Sequence, residues 1–157
     1  MQSPRPKKEF TIKKCGYNEW AKFSKYHYLT SELPKAARCF GLYDNDKIIG
    51  FVGVLHQPHP INKKIKRISR LVILPDYQDI GLATRFITEI AKYYKNLGYE
   101  MSINTSAKNM IHALNKNSEW ILFNYGAHKY SKTGSIDKNR ISIRNKCKVA
   151  SFKYKGK

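Results

Sequence analysis

Arg67-Ile-Ser-Arg-Leu-Val-Ile-Leu-Pro-Asp-Tyr-Gln-Asp-Ile-Gly-Leu-Ala83 reads as a strand, a stop, a short turn and the start of a long helix, and that order decides the fold class. Leu71, Val72, Ile73 and Leu74 form the continuous apolar run of a buried strand, and Pro75 cannot continue a hydrogen-bonded ladder, so the chain turns there. From Ile80 onward the period changes. Leu82, Phe86, Ile90, Tyr94 and Leu97 recur at helical spacing, and Gly98 supplies the left-handed residue that commonly ends a helix. Between strand and helix, Gln78-Asp-Ile-Gly-Leu-Ala83 leaves small residues at Gly81 and Ala83, where backbone N–H groups at a helix start can face an anion without obstruction. The stretch is predicted to form a phosphate cradle, or else a tight strand-to-helix turn without a ligand.

The rest of the chain agrees with an α/β (α+β) domain. Its 157 residues suit one domain, with 41% hydrophobic and 13% aromatic residues arguing against disorder. No apolar run approaches a membrane span, and the basic N-terminus lacks the apolar segment of a signal peptide, so a cytoplasmic protein without membrane contact is expected. Cys15, Cys39 and Cys147 are widely spaced and form no CxxC pair, which supports neither a disulfide framework nor a metal site; each is either buried filler or a reactive thiol. The formal charge of +19, from 30 Lys and Arg against 11 Asp and Glu, exceeds what solubility requires and makes DNA or RNA a physically reasonable partner.

In chain order, residues 1–8 read as a flexible basic tail, 9–150 as the domain and 151–157 as a second basic tail. Phe10 to Cys15 alternates as a first strand. Asn18 can cap a helix carrying Trp20, Phe23 and His27. Arg38 to Tyr43 and Ile48 to Leu55 flank the polar turn Asp44-Asn-Asp-Lys47 as a hairpin, in which Gly50 and Gly53 mark a bulge or a close backbone approach. His56-Gln-Pro-His-Pro60 is a loop rather than a metal site. Lys63, Lys64, Lys66, Arg67 and Arg70 form either a nucleic-acid footprint or a solvated strand edge. Further strands are predicted over Glu100 to Ser106, Ile121 to Tyr125 and Arg140 to Arg144, with a short helix over Ala107 to Leu114.

Gln78-x-x-Gly81-x-Ala83, preceded by Ile73-x-Pro75-x-Tyr77, resembles the acyl-coenzyme-A pyrophosphate loop of the GNAT acetyltransferase superfamily. The resemblance implies a single domain with a mixed, mostly antiparallel sheet flanked by helices, and acetyl-coenzyme A as donor in N-acyl transfer. It implies that Gln78, Asp79, Ile80, Gly81, Leu82 and Ala83 hold the pyrophosphate and that Leu71, Val72 and Ile73 hold the pantetheine arm. Asp79 stands where many members have glycine. Asn109 matches a frequent coenzyme-contacting asparagine, and the segment of His27 and Tyr28 matches one wall of the acceptor site. Many members place a general-acid tyrosine after the short helix; here Asn115-Lys-Asn117 stands there, and the nearest tyrosine is Tyr125. Tyr28, His27, Ser69 and Tyr125 are therefore the candidates for acid, base or acceptor contact. His27-Tyr28, the Val-Gly-Val of the hairpin and Ser69-Arg70-Leu71 are also similar to the phage Mom-type branch, which modifies adenine in DNA. A non-catalytic GNAT-fold module that binds nucleic acid is the competing class.

Overall fold

Apolar runs, turn residues and one long amphipathic stretch divide the described residues into seven strands and two α-helices, with short 3-10 turns between them. The computed structural model describes residues 9–26, 32–127 and 148–156. The strands are β1 (Phe10–Lys14), β2 (Arg38–Asp44), β3 (Lys47–His56), β4 (Ile65–Ile73), β5 (Glu100–Thr105), β6 (Trp120–Ala127) and β7 (Lys148–Tyr154), with α1 (Leu82–Asn96) and α2 (Lys108–Lys116) between them. The sheet order is β1-β2-β3-β4-β5-β7-β6. The pairs β1/β2, β2/β3, β5/β7 and β6/β7 are antiparallel. No helix among the described residues is long and apolar enough to cross a membrane.

Two compact units are distinguished, one from Met1–Leu55 and Ile68–Ile87, the other from His56–Arg67 and Thr88–Lys157. In the first, β2 and β3 form the expected hairpin, turned at Asn45 in the left-handed region with φ 55°. Its register shifts between Leu42 and Tyr43, which pair with Gly50 and Ile48, so Ile49 is the extra residue of a bulge. Both hairpin glycines mark close approaches. A Cβ on Gly50 would stand 2.8 Å from Ile73 Cδ1, and one on Gly53 would stand 2.9 Å from Leu33 Cδ1. Trp20, Phe23, Leu33, Cys39, Phe51 and Val72 cluster as the core, with the rings of Trp20 and Phe23 centred 5.2 and 5.8 Å from that of Phe51.

The first helix differs in kind from expectation. Tyr17–Lys22 and Ser24–Tyr26 are 3-10 turns, and the cap position is Gly16, extended and without a side-chain bond, rather than Asn18. Trp20 and Phe23 are three residues apart, and a three-residue period stacks them on one inward face as well as an α-helix would. Burial explains Cys15 and Cys39 as packing thiols: Cys39 lies in the core, Cys15 packs on it, and desolvation pushes the Cys15 thiol up to about 12. Cys147 lies outside the described residues.

In the second unit the largest correction falls at the C-terminus. Residues 151–154, expected in a basic tail, belong to β7, where Ala150, Ser151, Phe152 and Tyr154 are buried while Lys148 and Lys153 stay exposed. The lysines raise the local polarity and disguise the strand. The strand expected over residues 140–144 lies outside the described residues. Tyr154 packs edge-on to Trp120 at 5.3 Å, and Trp120 Nε1 donates to Thr88 Oγ1 at 3.0 Å. On α1, Leu82, Phe86, Ile90 and Tyr94 are buried as their spacing requires, whereas Leu97 is 56% exposed because the helix stops at Asn96. Gly98 takes the expected left-handed turn at φ 89°.

Candidate active site

The site is built from the end of β4. Leu74 N–H donates to Ile49 O at 2.8 Å and so prolongs the pairing with β3 by one bond after the strand proper. Pro75, which has no N–H to give, then opens a 3-10 turn over Pro75–Ile80, sealed by Tyr77 N–H donating to Leu74 O at 2.9 Å. Gly81 follows in the left-handed region at φ 69°, and α1 begins at Leu82. A polar turn was expected here; a hydrogen-bonded 3-10 turn makes the junction stiffer than a loop.

Two side chains fasten this turn. Gln78 Nε2 donates to Ile73 O at 2.8 Å, closing the last carbonyl of β4. The amide of Gln78 is therefore a brace, and what it offers an anion is its place in the turn. Tyr77 donates its hydroxyl to Asp44 Oδ2 at 3.0 Å across to the hairpin turn, and its ring meets that of Phe10 edge-on at 6.4 Å. The hydrogen bond to Asp44, helped by burial and by the negative charges of Asp44 and Asp76, raises the Tyr77 phenol above its ordinary value, so the donor keeps its proton.

At the junction itself, Arg85 N–H donates to Gly81 O at 3.4 Å, so the hydrogen-bond ladder of α1 reaches back to the glycine. The direction in which a Gly81 Cβ would project is open, with no atom within 4 Å. Leu82 is buried and anchors the helix, while Ala83 is half-buried and Arg85 is exposed in the first turn. Arg85 is a cation that the sequence reading passed over; its place two residues after Ala83, in the first turn of the helix, is the signal that would have found it. A backbone cradle of this shape suits a pyrophosphate, and the N-terminal end of the α1 dipole favours negative charge. Leu71, Val72 and Ile73 lead into it, Val72 and Ile73 being buried. Of Asp79 and Ile80 the backbone is described, as the end of the turn.

Ser69 and Arg70 lie on the same strand. Arg70 Nη1 donates to Ser69 O at 2.8 Å and to Ser69 Oγ at 3.2 Å, while Arg70 Nε donates to Glu32 O at 3.0 Å. The guanidinium thus ties β4 to the segment entering β2. Leu33, next to Glu32, fills the notch at Gly53 and its carbonyl accepts the Tyr17 hydroxyl, so Arg70 helps to anchor that segment. His27 and Tyr28 lie outside the described residues. Asn109 and Tyr125 belong to the second unit and are exposed, Asn109 in the first turn of α2 and Tyr125 on β6, its ring 5.7 Å from Lys148 Nζ. Lys63, Lys64, Lys66 and Arg67 are also in the second unit. No group of three or more His, Cys, Asp or Glu able to hold a metal ion occurs among the described residues.

Comparison with known proteins bears on the family and the fold. The family model described as "Acetyltransferase (GNAT) family" matches residues 6–115. No curated protein matches the chain by sequence. Among solved structures, a Bacillus subtilis acetyltransferase in complex with CoA is similar at TM-score 0.68 and 14% identity, over 94% of this chain and 99% of that one. A GNAT family acetyltransferase from Elizabethkingia anophelis with acetyl-CoA bound gives 0.66 and 14%, over 93% and 97%. The ribosomal-protein-S18-alanine N-acetyltransferase of Escherichia coli gives 0.65 and 14%, over 93% of each chain. At these identities the likeness is one of fold.

Proposed function

Because this chain belongs to the GNAT acetyltransferase family, we propose that it transfers an acetyl group from acetyl-coenzyme A to a nitrogen acceptor, and that the acceptor is carried by a nucleic acid. The observation that carries the donor half is the unobstructed junction of Gly81 with α1, at φ 69° with open space where a side chain would stand. The residues there fit the coenzyme: N–H groups of Gly81 to Ala83 for the pyrophosphate, Arg85 as a flanking cation, and the backbone of Leu71 to Ile73 for the pantetheine arm. Asn109 is a further coenzyme contact in this scheme. When bound, acetyl-coenzyme A supplies an activated thioester.

The chain's own part is to hold, polarise and exchange protons. A backbone N–H of β4 serves as oxyanion donor, and the acid for the departing thiolate comes from the group Tyr28, His27, Ser69 and Tyr125. Ser69 Oγ already accepts from Arg70, which orients the hydroxyl proton away from the guanidinium. No Asp or Glu falls between Asp46 and Asp76, so β3 and β4 bring no carboxylate base. An alkyl ammonium acceptor would need one, whereas an exocyclic base amine is neutral at pH 7. That chemistry and the charge of +19 favour a nucleic-acid acceptor over a cationic polyamine. Adenine modification of the Mom kind is one form this takes.

The test is the melting temperature with and without excess acetyl-coenzyme A. A ligand at a hundred times its Kd stabilises the native state by about 2.7 kcal/mol, hence by several degrees. Mass change on nucleic-acid, protein and amine panels then identifies the acceptor, duplex DNA included. No thermal shift together with tight nucleic-acid binding would favour the non-catalytic module instead.

A further inference from the structure

The turn between β3 and β4 holds a second concentration of hydrogen-bond donors, in the second unit. An open pocket of about 350 Å³ is lined by His56, Pro58, His59, Pro60 and Lys63. The polar side-chain atoms of the residues that line it are all nitrogen. His59 Nδ1 accepts two backbone N–H groups, from Asn62 at 2.9 Å and Ile61 at 3.2 Å, which leaves the ring proton on Nε2 as a donor. The same bonds fix the ring. Lys63 Nζ donates to His59 O at 3.0 Å, which brings the ammonium back over the turn, and Asn62 Oδ1 accepts Lys64 N–H at 2.9 Å. Pro58 and Pro60 stiffen the walls.

The surroundings keep this donor set positive. No Asp or Glu falls between Asp46 and Asp76, a span that contains Lys63, Lys64, Lys66 and Arg67. Glu100, whose N–H donates to Lys64 O at 2.8 Å, has its carboxylate paired with Lys153 at 3.1 Å. Lys66 is held over the Tyr99 ring at 4.8 Å. At ~3.3 Å per residue, Lys63 to Arg67 reaches up to ~13 Å. One strand of a duplex advances ~3.4 Å per nucleotide, so the run can meet more than one phosphate.

From this geometry we propose that the pocket of His56, His59 and Lys63 anchors a backbone phosphate of a nucleic acid, with Lys64 and Lys66, which share one face, serving the phosphates that follow. The class of partner rests on the nucleic-acid acceptor proposed above; the phosphate chemistry of the pocket does not.

The experiment is fluorescence anisotropy of 5′-labelled 20-nucleotide DNA and RNA, single-stranded and duplex, on the full chain at 50 and 200 mM salt. The variant His59→Asn with Lys63→Met keeps an acceptor for the two N–H groups and the apolar stem of the lysine, but removes both donors. It is expected to lose about tenfold in affinity and to flatten the salt slope by about 1, while Lys47→Met changes neither. Its thermal shift with acetyl-coenzyme A is expected to stay at the wild-type value, which separates the pocket from the coenzyme loop. An absent thermal shift with oligonucleotide binding intact would count against the donor assignment and leave the pocket standing. The pocket is overturned if the wild type binds no oligonucleotide, or if the double variant keeps both affinity and slope. Competition by inorganic pyrophosphate as effective, per phosphate, as that of the oligonucleotide would overturn nucleic acid as the partner.

Discussion

Gly81→Glu separates the fold of the cradle from its ligand. Gly81 sits at φ 69° with no atom within 4 Å of where a Cβ would be, so the new side chain meets no steric obstacle but occupies the space assigned to the pyrophosphate. Holding an L-residue in the left-handed region costs about 1–2 kcal/mol. At roughly 2–4 °C per kcal/mol for a chain of this size, the melting temperature should fall by about 2–8 °C. That strain is present with and without ligand and leaves the Kd untouched. The carboxylate acts only on the complex: two like charges 4 Å apart repel by about 1 kcal/mol in water and about 4 kcal/mol at the effective dielectric of a protein surface. The Kd for acetyl-coenzyme A, measured by calorimetry, should therefore rise by between about fivefold and about a thousandfold. Gly81→Asn is the control, since asparagine tolerates the left-handed region and carries no charge. It should retain most of the affinity. Undiminished binding by Gly81→Glu, with Gly81→Asn equally unaffected, would refute the placement of the pyrophosphate.

Three further outcomes follow from the same geometry. Gln78→Glu replaces the donor on Ile73 O with a carboxylate facing a carbonyl, so coenzyme affinity should fall while Gln78→Met loses less; equal affinities in calorimetry would remove the brace from the explanation. Gly50→Ala puts a Cβ 2.8 Å from Ile73 Cδ1 and 3.1 Å from Leu42 Cβ, and overpacking of this kind costs about 1–3 kcal/mol; urea unfolding at or above wild-type stability would show that β3 can shift freely there. Cys15 loses its proton near 9 in the unfolded chain and near about 12 in the fold, so its contribution is complete below 9 and disappears as the pH rises to about 12. Cys39, Tyr43, Tyr77 and Tyr154 are raised in the same direction, so Cys15→Val should lose stability less steeply over that window, and slopes equal to wild type in denaturant melts would refute the assignment.

What was legible in the sequence was what rests on backbone chemistry. Pro75 excludes a continuing ladder and Gly98 favours a helix end, and the structure has a turn and a left-handed residue at those places; Gly81 was read for its missing side chain, and the space there is open. Gly50 and Gly53 were equally readable, because a glycine within an apolar strand marks a close neighbour. The kind of helix around Trp20 was not, since a spacing of three fits either a 3-10 or an α-helix. β7 was hidden by its lysines, Lys148 at its start and Lys153 between Phe152 and Tyr154, which mask the buried Ala150, Ser151 and Phe152. Within the site, the small residues could be read but the side-chain bonds could not. Nothing in the local pattern tells that Gln78 turns back to Ile73, that Tyr77 reaches Asp44 or that Arg70 spans to Glu32, because each bond is decided by where the fold brings a distant carbonyl or carboxylate.

The two proposed anion sites differ in the origin of their positive charge. At Gly81 the donors are backbone N–H groups and a helix dipole, held by Tyr77 on Asp44, Gln78 on Ile73 and Leu74 on Ile49 before any ligand arrives. Little ordering is left to be done on binding, and fixed dipoles displace few counterions. At His59 and Lys63 the donors are side chains on an acid-free span of the sequence, and phosphate contacts by lysine release condensed counterions from a polyanion. The coenzyme cradle therefore needs none of the excess charge, Arg85 apart. The overall +19 is the part of the charge that the proposed nucleic-acid contact draws on. Salt distinguishes the two, because the affinity of a rigid backbone cradle for one small anion changes little over a range in which a lysine-borne polyanion contact weakens by orders of magnitude.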